Sequence, residues 1–201
     1  MKKVLQTEVA RFREFALRQV HDFAAGPDFA RLAIGWYGWI EGKAWMRHDR
    51  PVDRLLETRH VGDFAHVRLQ KMRRRLRKAG RQAMSGPMDD WHVARIAAKK
   101  LRYAGGPLLA IANEDASGGE ANGATAKRLM KLQDALGQFN DLCNVGPFLR
   151  TVRAKVPPSR QLAFAEITAF CDGWAQAEAR HAVPRIEKTW QRFESAMEGR
   201  S

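Results

Sequence analysis

The chain has 201 residues, 45% of them hydrophobic, which is enough for one sizeable domain or two small ones. Its net charge of +13 points to a polyanionic partner: a nucleic acid, an anionic lipid surface or a phosphate polymer. Two cysteines, Cys143 and Cys171, exclude a disulfide framework and read as free core thiols in a reducing compartment, with no metal and no cofactor expected. No apolar run reaches the length of a membrane span. The N-terminal MKKVLQTEVARFREF is amphipathic and lacks the apolar core and cleavage site of a signal peptide. A cytoplasmic address is therefore expected.

The first predicted helix covers residues 4–24, because Val4, Leu5, Val9, Phe12, Phe15, Ala16, Val20 and Phe23 recur at helical spacing. Gly26-Pro27-Asp28 ends it and opens a second helix over 29–42. That helix is dense in Leu32, Ile34, Trp36, Tyr37, Trp39 and Ile40, with Ala33, Gly35 and Gly38 between them. Small residues among large ones predict close packing in a core. A connector follows over 42–51, then a short helix over 52–59 and a longer one over 61–80. In the longer helix Ala65, Leu69, Met72, Leu76 and Ala79 form the apolar side, while Arg68, Lys71, Arg75 and Lys78 form a line of cations.

Ser85-Gly86-Pro87 breaks the chain, and Asp89 or Asp90 can cap the next helix. This helix reads DDWHVARIAAKKLRYA and carries His92, Arg95, Lys99, Lys100, Arg102 and Tyr103. At about 100° per residue, His92, Arg95, Lys99 and Arg102 fall in a stripe roughly 80° wide. Val93, Ala97, Leu101, Ala104 and Leu108 are expected to make a separate apolar face toward the core. Cations on one face repel by a few tenths of a kcal/mol per i,i+4 pair. No acidic residue within the helix offsets this, so an anionic ligand is the economical explanation.

A kink is expected at Gly105-Gly106-Pro107 and a flexible loop over 114–124. Helix resumes near Thr125, with kinks at Gly137 and Gly146-Pro147. Pro157-Pro158-Ser159 starts another helix to about Ala179, and Val183-Pro184 leads the last. No alternating strand pattern occurs. The expected architecture is all-α, a single domain over 1–201 made of seven to nine largely antiparallel helices.

The string H-x-x-R-x-x-x-K-x-L-R-Y, from His92 to Tyr103, resembles the CHAD family (conserved histidine α-helical domain). KLQDALGQFNDL (Lys131 to Leu142) resembles that family's L-Q-D-x-L-G-x-x-N-D segment. WIEGKAW (Trp39 to Trp45) and the C-terminal WAQAEARHAVPRIEKTWQRF are similar to its tryptophan-containing helix end and its closing helices. The resemblance spans roughly residues 20–197 and implies two four-helix halves with a basic tunnel between them. It also implies binding of inorganic polyphosphate and association with polyphosphate granules. His92, Arg95, Lys99 and Arg102 would line that surface, with Lys100 and Tyr103 beside them. The helical cation line adds Arg68, Lys71 and Arg75, and Lys131 stands just before the Q-D-x-L-G string. The family's N-terminal helix, H-x-x-R-V-x-x-R-R-L-R, is not found. The chain thus reads as the C-terminal portion of such a domain, which self-association as a homo-oligomer can complete.

Polyphosphate offers regular negative charge and little else to read. Cations three or four residues apart rise by about 4.5 to 6 Å along a helix, a suitable ladder for it. Arg contacts phosphate oxygens bidentately and Lys acts as a point charge. Other readings are weaker. His21-Asp22 and His48-Asp49 invite comparison with metal-dependent HD phosphohydrolases, but such pairs are short, and Arg47 and Arg50 beside the second disfavour a divalent cation. The alternating E-x-E-x-K of triphosphate-cleaving tunnels is absent, and no catalytic residue is expected. Non-specific nucleic-acid binding and a structural role at a granule surface are the remaining alternatives.

Overall fold

A computed structural model describes residues 2–43, 60–112 and 119–198. Six α-helices are found there: α1 (Lys2–Ala25), α2 (Pro27–Glu41), α3 (Val61–Ser85), α4 (Asp90–Ala112), α5 (Gly119–Arg153) and α6 (Gln161–Glu198). A 3-10 turn at Pro158–Arg160 precedes α6. The fold is all-α, with no strand among the described residues. Six helices rather than seven to nine follow partly from two expected helices being one. Pro184 lies inside α6 and does not end it. An interior proline costs about 3 kcal/mol, but Ala179 before it and Ile186, Trp190 and Phe193 after it are all buried in the same core. Burying three large side chains, at about 1.5–3 kcal/mol each, outweighs the proline. α4 and α5 likewise continue as helix through Gly105-Gly106-Pro107, Gly137 and Gly146-Pro147, although each proline leaves one backbone donor out of the ladder. Of the loop expected over 114–124, residues 119–124 belong to α5. The helix expected over 52–59 lies outside the described residues.

The domain expected from the sequence is laid out as two compact units. The first comprises Met1–Thr58 and Pro147–Phe170. Its core gathers Leu149, Val152, Val156, Phe164 and Ile167, and Phe12 of α1 meets Phe148 edge-on at 5.9 Å between ring centroids. Glu8 is 3% exposed and accepts hydrogen bonds from Arg11 Nη1 (3.2 Å) and Arg160 Nη1 (2.7 Å). A buried carboxylate needs such partners. Glu8→Ala is expected to lower stability by about 1–3 kcal/mol, less than a fully buried pair, because both arginines are half-exposed and can rehydrate. Urea unfolding measures this, and Glu8→Gln should recover part of the loss by accepting the same bonds.

α2 departs from expectation. Pro27 at its first turn and Asp28 beside it start the helix as predicted. Its Phe29, Leu32, Ile34, Trp36, Tyr37, Trp39 and Ile40, however, are 44% to 71% exposed rather than buried. A Cβ built on Gly35 or Gly38 meets nothing within 4 Å. The aromatics pair locally instead: Trp36 with Trp39 at 5.9 Å, and Phe29 with Phe23 of α1 at 6.1 Å. Apolar composition predicts burial only if other elements present a matching surface, and among the described residues α2 packs on α1.

The second unit, Arg59–Gly146 with Cys171–Ser201, carries the larger core. α3 contributes Leu69, Leu76, Ala79 and Ala83, and α4 contributes Trp91, Ala94, Ala98 and Leu101. α5 adds Leu129, Leu132, Leu136 and Phe139, and α6 adds Ile186, Trp190, Phe193 and Met197. Four helices thus share one interior. His60 caps α3 by accepting the Gly62 N–H on Nδ1 at 3.3 Å, and Asp63 sits in the first turn. Arg81 donates to Glu194 at 2.6 Å, joining α3 to α6.

Candidate anion-binding site

α4 begins at Asp90, where the chain turns through backbone bonds from Asp90 N–H to Pro87 and from His92 N–H to Asp89. The Asp90 carboxylate accepts from Gln82 Nε2 at 3.3 Å, which ties the start of α4 to the end of α3. The core face of α4 runs through Trp91, Ala94, Ala98, Leu101 and Gly105. This corrects the expected face: Val93 is 55% exposed, and Ala97, Ala104 and Leu108 are only partly buried. The face turns by roughly 80° from the expected one, because the single large Trp91 is drawn inward and carries the small Ala94 and Ala98 with it.

That rotation decides where the cations point. His92 and Arg102, one at each end of the stripe, lean toward α5. His92 donates from Nδ1 to Asn140 Oδ1 at 2.9 Å, and Arg102 Nη1 donates to Gln133 Oε1 at 2.7 Å. The two pairs also fix α4 and α5 as antiparallel. Gln133 is buried, and its Nε2 has no partner among the described residues. Arg95, Lys99, Lys100 and Tyr103 line a shallow groove with Met72 of α3. Lys99 Nζ sits over the Tyr103 ring at 5.9 Å. Beside it, Arg75, Lys78 and Gln82 of α3 line a second groove with Val93, Ile96 and Lys100 of α4. Met72, Ile96 and Lys100 belong to both grooves, so they form one continuous face.

No acidic side chain lines either groove. Arg75, Lys78, Arg95 and Lys100 make no ion pair with a carboxylate among the described residues. Five cations therefore surround an apolar floor of Met72 and Ile96. The structure brings Arg75, Arg95, Lys99, Lys100 and Tyr103 together, with His92 and Arg102 at the α5 edge. Arg68 stacks over Phe64 at 5.7 Å, and neither it nor Lys71 lines the grooves. Lys131 lines a different groove, between α5 and α6. Sequence reasoning missed Gln133 and Asn140 as residues that orient Arg102 and His92. The signal was present: they stand seven apart in LQDALGQFND, which places two polar side chains on the same side of a helix.

The thiol of Cys143, on α5, is pushed up from its ordinary value, first by burial and then by the nearby Asp89 carboxylate. The thiolate is the reactive form, so alkylation of Cys143 by iodoacetamide should be slow at neutral pH and rise as the pH is raised. Mass spectrometry of the labelled peptide reads this rate. His21 and Asp22 are an exposed pair 3.6 Å apart. Among the described residues no three His, Cys, Asp or Glu side chains gather as a ligand set, and His48-Asp49 lies outside those residues. No helix among the described residues is long and apolar enough to cross a membrane.

A family model for the CHAD domain matches residues 2–150, three quarters of the chain. The chain belongs to the CHAD family. The match includes the whole of α4 and both α5 residues that hold its cations. The CHAD family is associated with polyphosphate binding in general. No curated protein and no solved structure matches this CHAD chain.

Proposed function

We propose that this CHAD chain binds inorganic polyphosphate on the α3–α4 face, as a binding module and not an enzyme. The observation that carries the reading is the set of cations, Arg75, Lys78, Arg95, Lys99 and Lys100, around grooves that hold no carboxylate. Their mutual repulsion is relieved only by an anion from outside. Successive cations on α4 rise by about 4.5 to 6 Å, so a repeating anion meets one after another. His92 is committed through Nδ1 to Asn140, which fixes its ring at the α5 edge of the stripe.

Granule targeting in the cytoplasm follows from the same binding. Self-association through the exposed Leu17, Val20 and Phe23 of α1 and the aromatics of α2 is part of the proposal. Sedimentation should show a dimer or larger assembly that Trp36→Ser/Trp39→Ser disperses.

Nucleic acid is the second reading, and one observation favours it. Tyr103 is 67% exposed beside Lys99, a stacking platform next to a cation. Competition separates the two. Long-chain polyphosphate should hold the protein against duplex DNA and RNA at equal phosphate concentration, and Tyr103→Ala should leave polyphosphate binding nearly unchanged. Displacement by nucleic acid, or a large loss on Tyr103→Ala, would sink the polyphosphate reading. Affinity should fall steeply with salt, by analogy with nucleic-acid phosphates.

A further inference from the structure

Lys131 and the α4 cations lie on opposite sides of α5. Gln133 and Asn140 face α4. At about 100° per residue, Arg128, Lys131, Ala135 and Gln138 fall roughly opposite them. There, with Arg185, Thr189 and Arg192 of α6, they line a separate groove of about 650 Å³. Four of its side chains are cations, Arg128, Lys131, Arg185 and Arg192, against the single carboxylate of Asp134. None of the four forms an ion pair among the described residues. Arg128 spends one Nη1–H on the Arg192 carbonyl at 3.3 Å and keeps the rest of its fork.

The lining also says what the groove does not take. It holds no aromatic side chain on which a base would stack. The Thr189 and Ser195 hydroxyls donate to backbone carbonyls of their own helix, at 2.7 and 2.9 Å, so recognition falls to the cations. Arg185 and Arg192 stand two turns apart, about 10 Å along the axis. A single phosphate reaches one end of that span, and an extended anion reaches both.

We propose that the α5–α6 groove is a second, independent site for extended phosphate chains, which makes the protein bivalent and able to cross-link long polyphosphate. The second half of this rests on the α3–α4 reading above; the groove itself does not. Two sites on one rigid interior convert single contacts into a network when the ligand is long enough to bridge molecules. The groove carries a net excess of three positive charges, from four cations and one acid, so its affinity for a short chain should be of the same order as that of the α3–α4 face.

Calorimetric titration with linear tripolyphosphate tests this on the full chain, with Lys131→Gln/Arg185→Gln and Arg95→Gln/Lys99→Gln as the two variants. All four side chains are at or near the surface, and circular dichroism confirms the fold. Should either double variant lose its helical signal, the single change Lys131→Gln or Lys99→Gln replaces it. The expected result is two sites per chain in the wild type and one in each variant. Light scattering with long-chain polyphosphate should fall tenfold or more in both. One wild-type site that only Arg95→Gln/Lys99→Gln removes overturns the second groove and leaves the α3–α4 reading standing. One site that only Lys131→Gln/Arg185→Gln removes supports the groove but overturns the α3–α4 reading and the cross-linking with it. No binding overturns both.

Discussion

Replacing Arg95, Lys99 and Lys100 together by Gln should weaken binding of long-chain polyphosphate to the α3–α4 face about a hundredfold, with the fold intact. Each removed cation contributes roughly 1 kcal/mol, between an exposed ion pair and a charge-assisted hydrogen bond. Three such losses amount to about 3 kcal/mol, or two decades in affinity. The choice of residues follows from the grooves: Arg95 and Lys99 line one, and Lys100 lines both. The slope of log affinity against log salt should fall by about 2 for three lost phosphate contacts, at roughly 0.7 each for a flexible single-stranded anion.

Stability moves the other way. None of the three cations has a carboxylate partner among the described residues, so their removal relieves repulsion and should leave Tm equal or slightly raised. Unchanged affinity in a folded triple variant would remove the α3–α4 face from consideration. Loss of affinity with a lowered Tm would point to a structural role for these side chains. Binding is best read with the α5–α6 groove also neutralised at Lys131 and Arg185, so that the second site does not mask the loss.

Trp190→Ala should cost about 3–5 kcal/mol, enough to unfold much of the second unit at ambient temperature. Trp190 is 1% exposed, and its ring fills the space that a Cβ at position 80 would occupy. Gly80 is buried in the C-terminal part of α3, still inside the helix, where Ala would ordinarily gain about 1 kcal/mol in helix propensity. The built Cβ meets Trp190 Cη2, Cζ2 and Cζ3, so Gly80→Ala should instead lose about 1–3 kcal/mol through overpacking. The indole Nε1 is buried with no hydrogen-bond partner among the described residues. Trp190→Phe gives up no bond there and removes a desolvated donor, so it should cost much less than Trp190→Ala. The sharpest measurement is the double change Gly80→Ala/Trp190→Phe in urea. A smaller ring admits the new methyl, so the pair should be more stable than the sum of the single losses, a coupling expected only of residues in contact. Strict additivity would show that α3 and α6 do not meet at this point.

The start of α4, the break before it and its line of cations are legible in the residues because each is local. Ser85-Gly86-Pro87, the acids that follow and spacings of three and four act within one or two turns. The absence of strands and the apolar side of α3 are read the same way. The pairing of α4 with α5 is half legible: LQDALGQFND places Gln133 and Asn140 on one side of α5, but nothing local says that Arg102 and His92 are what they meet.

What the sequence by itself determined is an all-α chain with an excess of positive charge concentrated on α3 and α4, because charge and helical period are properties of the residues and their immediate neighbours. Tertiary structure alone decided the rest. It chose Ala94 and Ala98 over Val93 and Ala97 for the core, since Trp91 had to enter an interior built by four helices. It carried α6 through Pro184, because burial on both sides of the proline exceeds its local penalty. It left the aromatics of α2 exposed, and it put Lys131 across α5 from the cations it was grouped with. In each case the deciding energy comes from side chains far away in sequence. Periodicity states which residues share a face; only packing states which face turns inward.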